Sequence, residues 1–162
     1  MTIIKSLYML DLLGFFGPLI IGIINTFILW EQSVYLYGYL LFLILNSIIN
    51  KSLKSIYRES RPIGGINFID REVHYGADIY GMPSGHAQST AYSLAYLYLV
   101  QKSNGILVAN TLLLLLTTIQ RWNYKKHTIE QLITGTVVGL ICGWSSYYIV
   151  KRIAEHNSLF DE

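Results

Sequence analysis

The chain has little charge and almost no cysteine. Only 14% of its 162 residues are Asp, Glu, Lys or Arg, where a soluble domain carries roughly 25%. That shortage argues against an ordinary water-facing surface. The single cysteine, Cys142, rules out a disulfide framework. No His or Cys cluster has the spacing of a zinc site, so neither a metal nor a cofactor is expected. Internal repeats, low-complexity tracts and linkers are also missing, and residues 1–162 read as a single domain.

Apolar residues are abundant: they make up 52% of the chain and fall in five uncharged intervals, 12–30, 32–50, 79–101, 103–120 and 131–150. A helix rises 1.5 Å per residue, so about 18 to 20 residues cross a hydrocarbon core of about 30 Å. The expected fold is all-α, an integral, multi-pass membrane bundle of about five transmembrane helices. A soluble helical domain would show a polar stripe every 3.6 residues, and runs such as LLLLLTTI at 112–119 and LLFLILNSII at 40–49 show none. The first apolar block is a full span long with no small-residue cleavage site after it, so the N-terminal helix is expected to stay.

Spanning helices satisfy their own backbone groups, which leaves the polar chemistry to the helix ends. The stretch 51–83 is the longest connection and holds Lys51, Lys54, Arg58, Arg61, Arg71 and His74 beside Glu59, Asp70, Glu72 and Asp78. A second connection, RWNYKKH at 121–127, is short and basic. Counting crossings brings both connections and the start of the third span to one membrane face, with Lys102 and the tail from Lys151 opposite. Arginine offers a planar fork of donors to phosphate oxygens, lysine a compact charge, and a helix N-terminus free N–H groups. Lys54, Arg61, Arg121, Ser84 and Gly85 therefore read as a phosphate cradle. Pro83 is expected in the first helical turn, and Gly85 lets backbone approach an anion. His86 and His127 are the candidates for nucleophile and acid, since neutral imidazole can take either part. Gln131, four residues after His127, could orient its imidazole through Nδ1, and Glu130 could reach as well. Lys125, Lys126 and many of the thirteen tyrosines are expected at the membrane interface. Gly135, Gly139 and Gly143 are expected to allow close helix packing that fixes where His127 points.

Three blocks, KSIYRESRP at 54–62, PSGH at 83–86 and RWNYKKH at 121–127, resemble in order and spacing the three-part motif of the type 2 phosphatidic acid phosphatase superfamily. They span 54–131, about half the chain. YGMPSGHAQ followed by HTIEQ is most similar to the dolichyl-diphosphatase-like branch. The resemblance implies a metal-independent membrane phosphatase working through a phosphohistidine. His127 would be the nucleophile and His86 the acid, with Lys54, Arg61, Ser84, Gly85 and Arg121 holding phosphate oxygens. The implied partners are a lipid phosphate or polyprenyl diphosphate substrate and membrane lipids, with no nucleic acid. Two positions depart from the majority pattern: Gln120 stands for a serine and Gln131 for an aspartate. The family core commonly has six spans, against the five counted. A phosphotransferase on the same site and a non-catalytic binder of anionic lipid are the alternatives.

Overall fold

The computed structural model describes residues 2–69 and 72–158. Among the described residues six α-helices follow one another: α1 (Thr2–Phe15), α2 (Gly17–Ile28), α3 (Ser33–Tyr57), α4 (Gly85–Gln101), α5 (Asn104–Asn123) and α6 (Ile129–Ser158), with one short 3-10 turn, Gly76–Ile79, before α4. The chain is an all-helical membrane bundle. Helices α3, α5 and α6 are each long and apolar enough to cross a membrane. The apolar block 12–30 is not one straight span: α1 and α2 meet at a 65° bend. Pro18 lies in the first turn of α2, where its missing N–H costs nothing and its ring prevents α1 from continuing.

Helix α4 is the centre of the bundle, packed against α2, α3, α5 and α6. The apolar interval 79–101 predicts a longer helix than the 17 residues observed, which reach about 26 Å. The reason lies at its start. Ser84 is the N-cap, its hydroxyl accepting from Ala87 N at 3.5 Å, so Pro83 precedes the helix and Gly85 opens it. The stretch before it bends and is tied down, with Gly81 N donating to Glu59 O at 2.7 Å. Outward-facing Ile44, Ile48, Leu112, Leu115, Ile133 and Ile141 are exposed, as lipid-facing side chains are.

The apolar core lies toward the end of the bundle where α4 finishes, and it is rich in tyrosine: Leu29, Tyr39, Tyr92, Tyr96, Leu97 and Val150 are fully buried or nearly so. Several tyrosines expected at the interface are therefore interior. Each finds a partner for its hydroxyl: Tyr92 donates to Tyr39 O at 2.9 Å, Tyr96 to Tyr35 O at 2.8 Å, and Tyr39 pairs with Ser93 Oγ at 2.8 Å. Helices α4 and α6 approach most closely along the expected glycine stripe. A Cβ on Gly135 would lie 2.5 Å from Ser84 O and one on Gly143 2.5 Å from Tyr92 O, while Gly139 abuts Gln88 O. Only hydrogen fits there.

Candidate active site

Five segments meet at the other end of the bundle: the last turn of α3, the loop after it, the start of α4, the end of α5 and the entry to α6. Lys54, buried at 1% exposure, donates to Tyr80 O at 2.6 Å and lies 3.2 Å from Asp78 Oδ1. The chain leaves α3 through Arg58 in the left-handed region (φ 49°), which turns it back toward the bundle. Arg61 then reaches across the site: Nη1 donates to Lys126 O and lies 3.2 Å from His127 Nε2, and Nη2 donates to Asp78 O at 2.9 Å. Arg121, also 1% exposed, bonds Glu72 Oε1 at 2.5 Å through Nη2, while its Nε and Nη1 carry no hydrogen bond.

Ser84, the cap of α4, donates its backbone N–H to Gln131 O at 3.0 Å, which joins the second motif to the first turn of α6, just after the third. A polar network holds this turn from below: Asn50 donates to Pro83 O and to Gln88 Oε1, and Gln88 donates to Asn46. A Cβ on Gly85 would press on Asn50 Oδ1 at 3.2 Å.

His127, 2% exposed, lies just outside α6. Thr128 caps that helix, its Oγ1 accepting from Gln131 N and its own N–H donating to Gln131 Oε1, both at 3.2 Å. This is a capping box. Gln131 therefore meets His127 by reaching back over the cap, not along one helical face as the spacing suggests, and its Oε1 lies 3.2 Å from His127 Nδ1. Glu130 is exposed.

Burial holds the His127 imidazole well below its ordinary value. The charges of Arg61, then Lys54 and Arg121, push the same way, and the Gln131 hydrogen bond only opposes them. The side chain is a neutral base at neutral pH.

The eight residues singled out in the sequence all lie at this end, but the two histidines open to different cavities. His86 lines one of about 430 Å³ between the α1–α2 bend, α3 and α4, shared with Phe15, Leu19 and Asp78. His127 lines another of about 480 Å³ with Lys125, Thr128 and Glu130. The Arg61–Asp78 pair links the two.

Some participants escape the sequence reading. Lys126 is not an interfacial anchor: it is buried, 3.0 Å from Glu72 Oε2 and bonded to Asn67. His74 pairs its Nδ1 with Asp78 Oδ2 at 2.9 Å. Burial pushes the Asp78 carboxyl up, but the His74 hydrogen bond and the Lys54 and Arg61 charges outweigh it and hold it below its ordinary value. Burial likewise raises Glu72, and Arg121 and then Lys126 more than offset it. Opposite charge among clustered cations was the available signal for Glu72 and Asp78. Glu59, inside the first motif, was masked by the Lys and Arg around it. Asp70 and Arg71 lie outside the described residues.

The sequence profile described as the PAP2 superfamily matches residues 35–155. A dolichyldiphosphatase of Saccharomyces cerevisiae (strain ATCC 204508 / S288c) is 29% identical over 123 residues, which cover 69% of this chain and 50% of that protein. The chain thus spans about half the length of this curated relative. Among solved structures, the first transmembrane PAP2 type phosphatidylglycerolphosphate phosphatase from Bacillus subtilis superimposes with a TM-score of 0.65 at 19% identity, over 91% of this chain and 76% of that one. That likeness is one of fold.

Proposed function

Since the chain belongs to the PAP2 superfamily, we propose that it is a membrane phosphatase that hydrolyses a lipid phosphate or a polyprenyl diphosphate of dolichyl or undecaprenyl type. It acts through a phosphohistidine and without a metal. The observation that supports this reading is Arg121: a guanidinium buried to 1% exposure with two nitrogens free of hydrogen bonds, beside a neutral buried histidine. Burying charge donors without partners is costly. A phosphate group supplies acceptors for them, and the carboxylates of Glu72 and Asp78 already occupy neighbouring donors in the way phosphate oxygens would.

In this reading, phosphate oxygens replace the Asp78 carboxylate on Lys54 and Arg61 and add to the donors of Arg121, Ser84 and Gly85. Nε2 of His127 attacks phosphorus, the bond to the leaving oxygen breaks, and His86, charged as the imidazolium once the phosphate's negative charge is in place, gives that oxygen a proton and is left neutral. Water then attacks the phosphohistidine, His86 takes back a proton, and inorganic phosphate leaves with the imidazole restored. The preference for a polyprenyl diphosphate rests on the similarity to the yeast dolichyldiphosphatase and on the apolar wall that Phe15, Phe16, Pro18 and Leu19 form beside His86.

The test is phosphate release by the purified chain from dolichyl and undecaprenyl diphosphates, phosphatidic acid and a sugar phosphate, in EDTA. Release should persist with the chelator, stop with vanadate and vanish in His127→Ala. Loss on chelation that a divalent ion restores would overturn the metal-independent mechanism. A phosphorylated alcohol in place of free phosphate would make the chain a phosphotransferase. Lipid binding without turnover, unchanged in His127→Ala, would make it a binding protein.

A further inference from the structure

A side-chain amide has two donor hydrogens and an oxygen with two acceptor positions, and in Gln131, which has no solvent exposure, all four are used. Nε2 donates to Glu59 Oε1 at 2.6 Å and to Ser60 O at 2.9 Å. Oε1 accepts from Thr128 N and faces His127 Nδ1, both at 3.2 Å. The capping box of α6 accounts for the Thr128 contacts and for nothing else in this set. The other two bonds come from the segment just after α3, a separate part of the chain.

Chemistry decides which end of the amide points where. The Ser60 carbonyl can only accept, as can an ionised Glu59 carboxylate, so the amino end belongs to them and the oxygen must face the imidazole. Nδ1 of His127 then carries the hydrogen. At the other ring nitrogen, Arg61 Nη1 stands 3.2 Å from Nε2, and a guanidinium can only donate. Both ends of the ring therefore demand one tautomer, with the lone pair on Nε2.

We propose that Glu59 is a positioning residue: its carboxylate holds the Gln131 amide, and through it the aim of His127. The carboxylate that the majority pattern places directly on the histidine is thus kept here one hydrogen bond further out, supplied by the first motif. Glu59 is itself held, since its carbonyl accepts from Gly81 N at 2.7 Å, and the Gln131 amide lies against the space a Cβ on Gly81 would fill. The carboxylate also polarises the amide, so the oxygen facing His127 better supports the positive charge the ring gains as Nε2 bonds phosphorus. That catalytic consequence rests on the phosphohistidine reading above; the positional claim does not.

Two measurements test it. In phosphate-release kinetics, Glu59→Leu should lower kcat about 10- to 100-fold with KM within about twofold, and Glu59→Gln, which keeps an acceptor but loses the charge, should fall between it and the native chain. Glu59→Leu combined with Gln131→Ala should be no worse than Gln131→Ala alone, because both remove one relay. Additive losses, or an unchanged kcat in Glu59→Leu, would overturn the proposal. The second measurement needs no activity: 15N-histidine NMR of the folded protein, with the His127 signals identified by their absence in His127→Ala. It should show the Nδ1–H tautomer in the native chain; in Glu59→Leu, where Arg61 and Thr128 N–H still select that tautomer, the Nδ1 signal should shift and broaden as its hydrogen bond to Gln131 loosens, and a signal unchanged in shift and width overturns the relay. If the native chain released phosphate from no substrate, the phosphatase reading would fail while this spectrum still decided the role of Glu59. Should Glu59→Leu not insert, Glu59→Gln carries both measurements.

Discussion

His127 is useful only while its ring is neutral; burial is the first cause of that, and two neighbours in contact with the ring act on it in opposite directions. Arg61, 3.2 Å from Nε2, adds positive charge to the effect of burial, and Gln131 at Nδ1 weakly opposes both. An ordinary imidazole titrates near 6.5. As the pH is lowered, the NMR signal of His127 should change to its charged form only below the ordinary value, and titration near 6.5 would contradict the buried geometry. Arg61→Ala removes a like charge and opens the site, so the midpoint should then rise toward the ordinary value. The same scale shows why identical neighbours in sequence differ in role. Lys125 and Lys126 are adjacent, yet Lys125 turns outward with φ 50° while Lys126 is buried against Glu72. The sequence marks both only as basic; one backbone angle separates them.

Two elements govern how the motifs are held together. The first is the contact of α4 with α6, which carries Ser84 and His86 on one helix and delivers His127 and Gln131 at the head of the other. Gly139 has the Gln88 carbonyl and, at 2.9 Å, Ala91 Cβ where its own Cβ would lie. Gly139→Ala should therefore cost about 1–3 kcal/mol by overpacking, read as a lower thermal midpoint in detergent with helical content retained. An unchanged midpoint would mean that the helices separate freely. The second element is the loop from α3 to α4, pinned by Asp78 to Lys54, Arg61 and His74. The Asp78 carboxyl is held below its ordinary value, so its contribution to stability is present above about pH 4 and is lost as pH falls through the folded value. Asp78→Asn should lower the thermal midpoint at pH 7, and the gap to the native chain should close on acidification below about pH 4. A gap that is constant with pH would show that charge is not what Asp78 contributes.

For the whole molecule, α4 runs from the site end toward the apolar core, so the loop before α4 and the turn between α4 and α5 lie at opposite ends of the bundle. Ile63, 97% exposed, marks the site end, and Lys102, the exposed cap of α4, the other. In a Cys142→Ser background, Ile63→Cys and Lys102→Cys should react with a membrane-impermeant thiol reagent from opposite sides of sealed vesicles. Labelling of both from one side would contradict the crossing order. The bundle is also divided along its length. Apolar side chains and bonded tyrosines fill the end where α4 finishes, while buried Lys54, Arg121, His127 and Gln131 fill the other. Rigid packing below supports a costly polar cluster above.

Residue order alone determined the membrane class, the helical architecture and the eight candidate site residues, because uncharged runs long enough to cross a bilayer have few other folds open to them and the three motifs keep their internal spacing. It could not determine what depends on the angle between segments distant in the chain. The start of α4 at Gly85 follows from a cap at Ser84, and the interior tyrosines follow from backbone carbonyls on α3 that only packing brings within reach. The carboxylates on the cradle cations are the same kind of case. So is Glu59: it is 72 positions from Gln131 in sequence and 2.6 Å from it in space. A hydrogen bond is directional and short, and tertiary structure alone supplies both the direction and the distance.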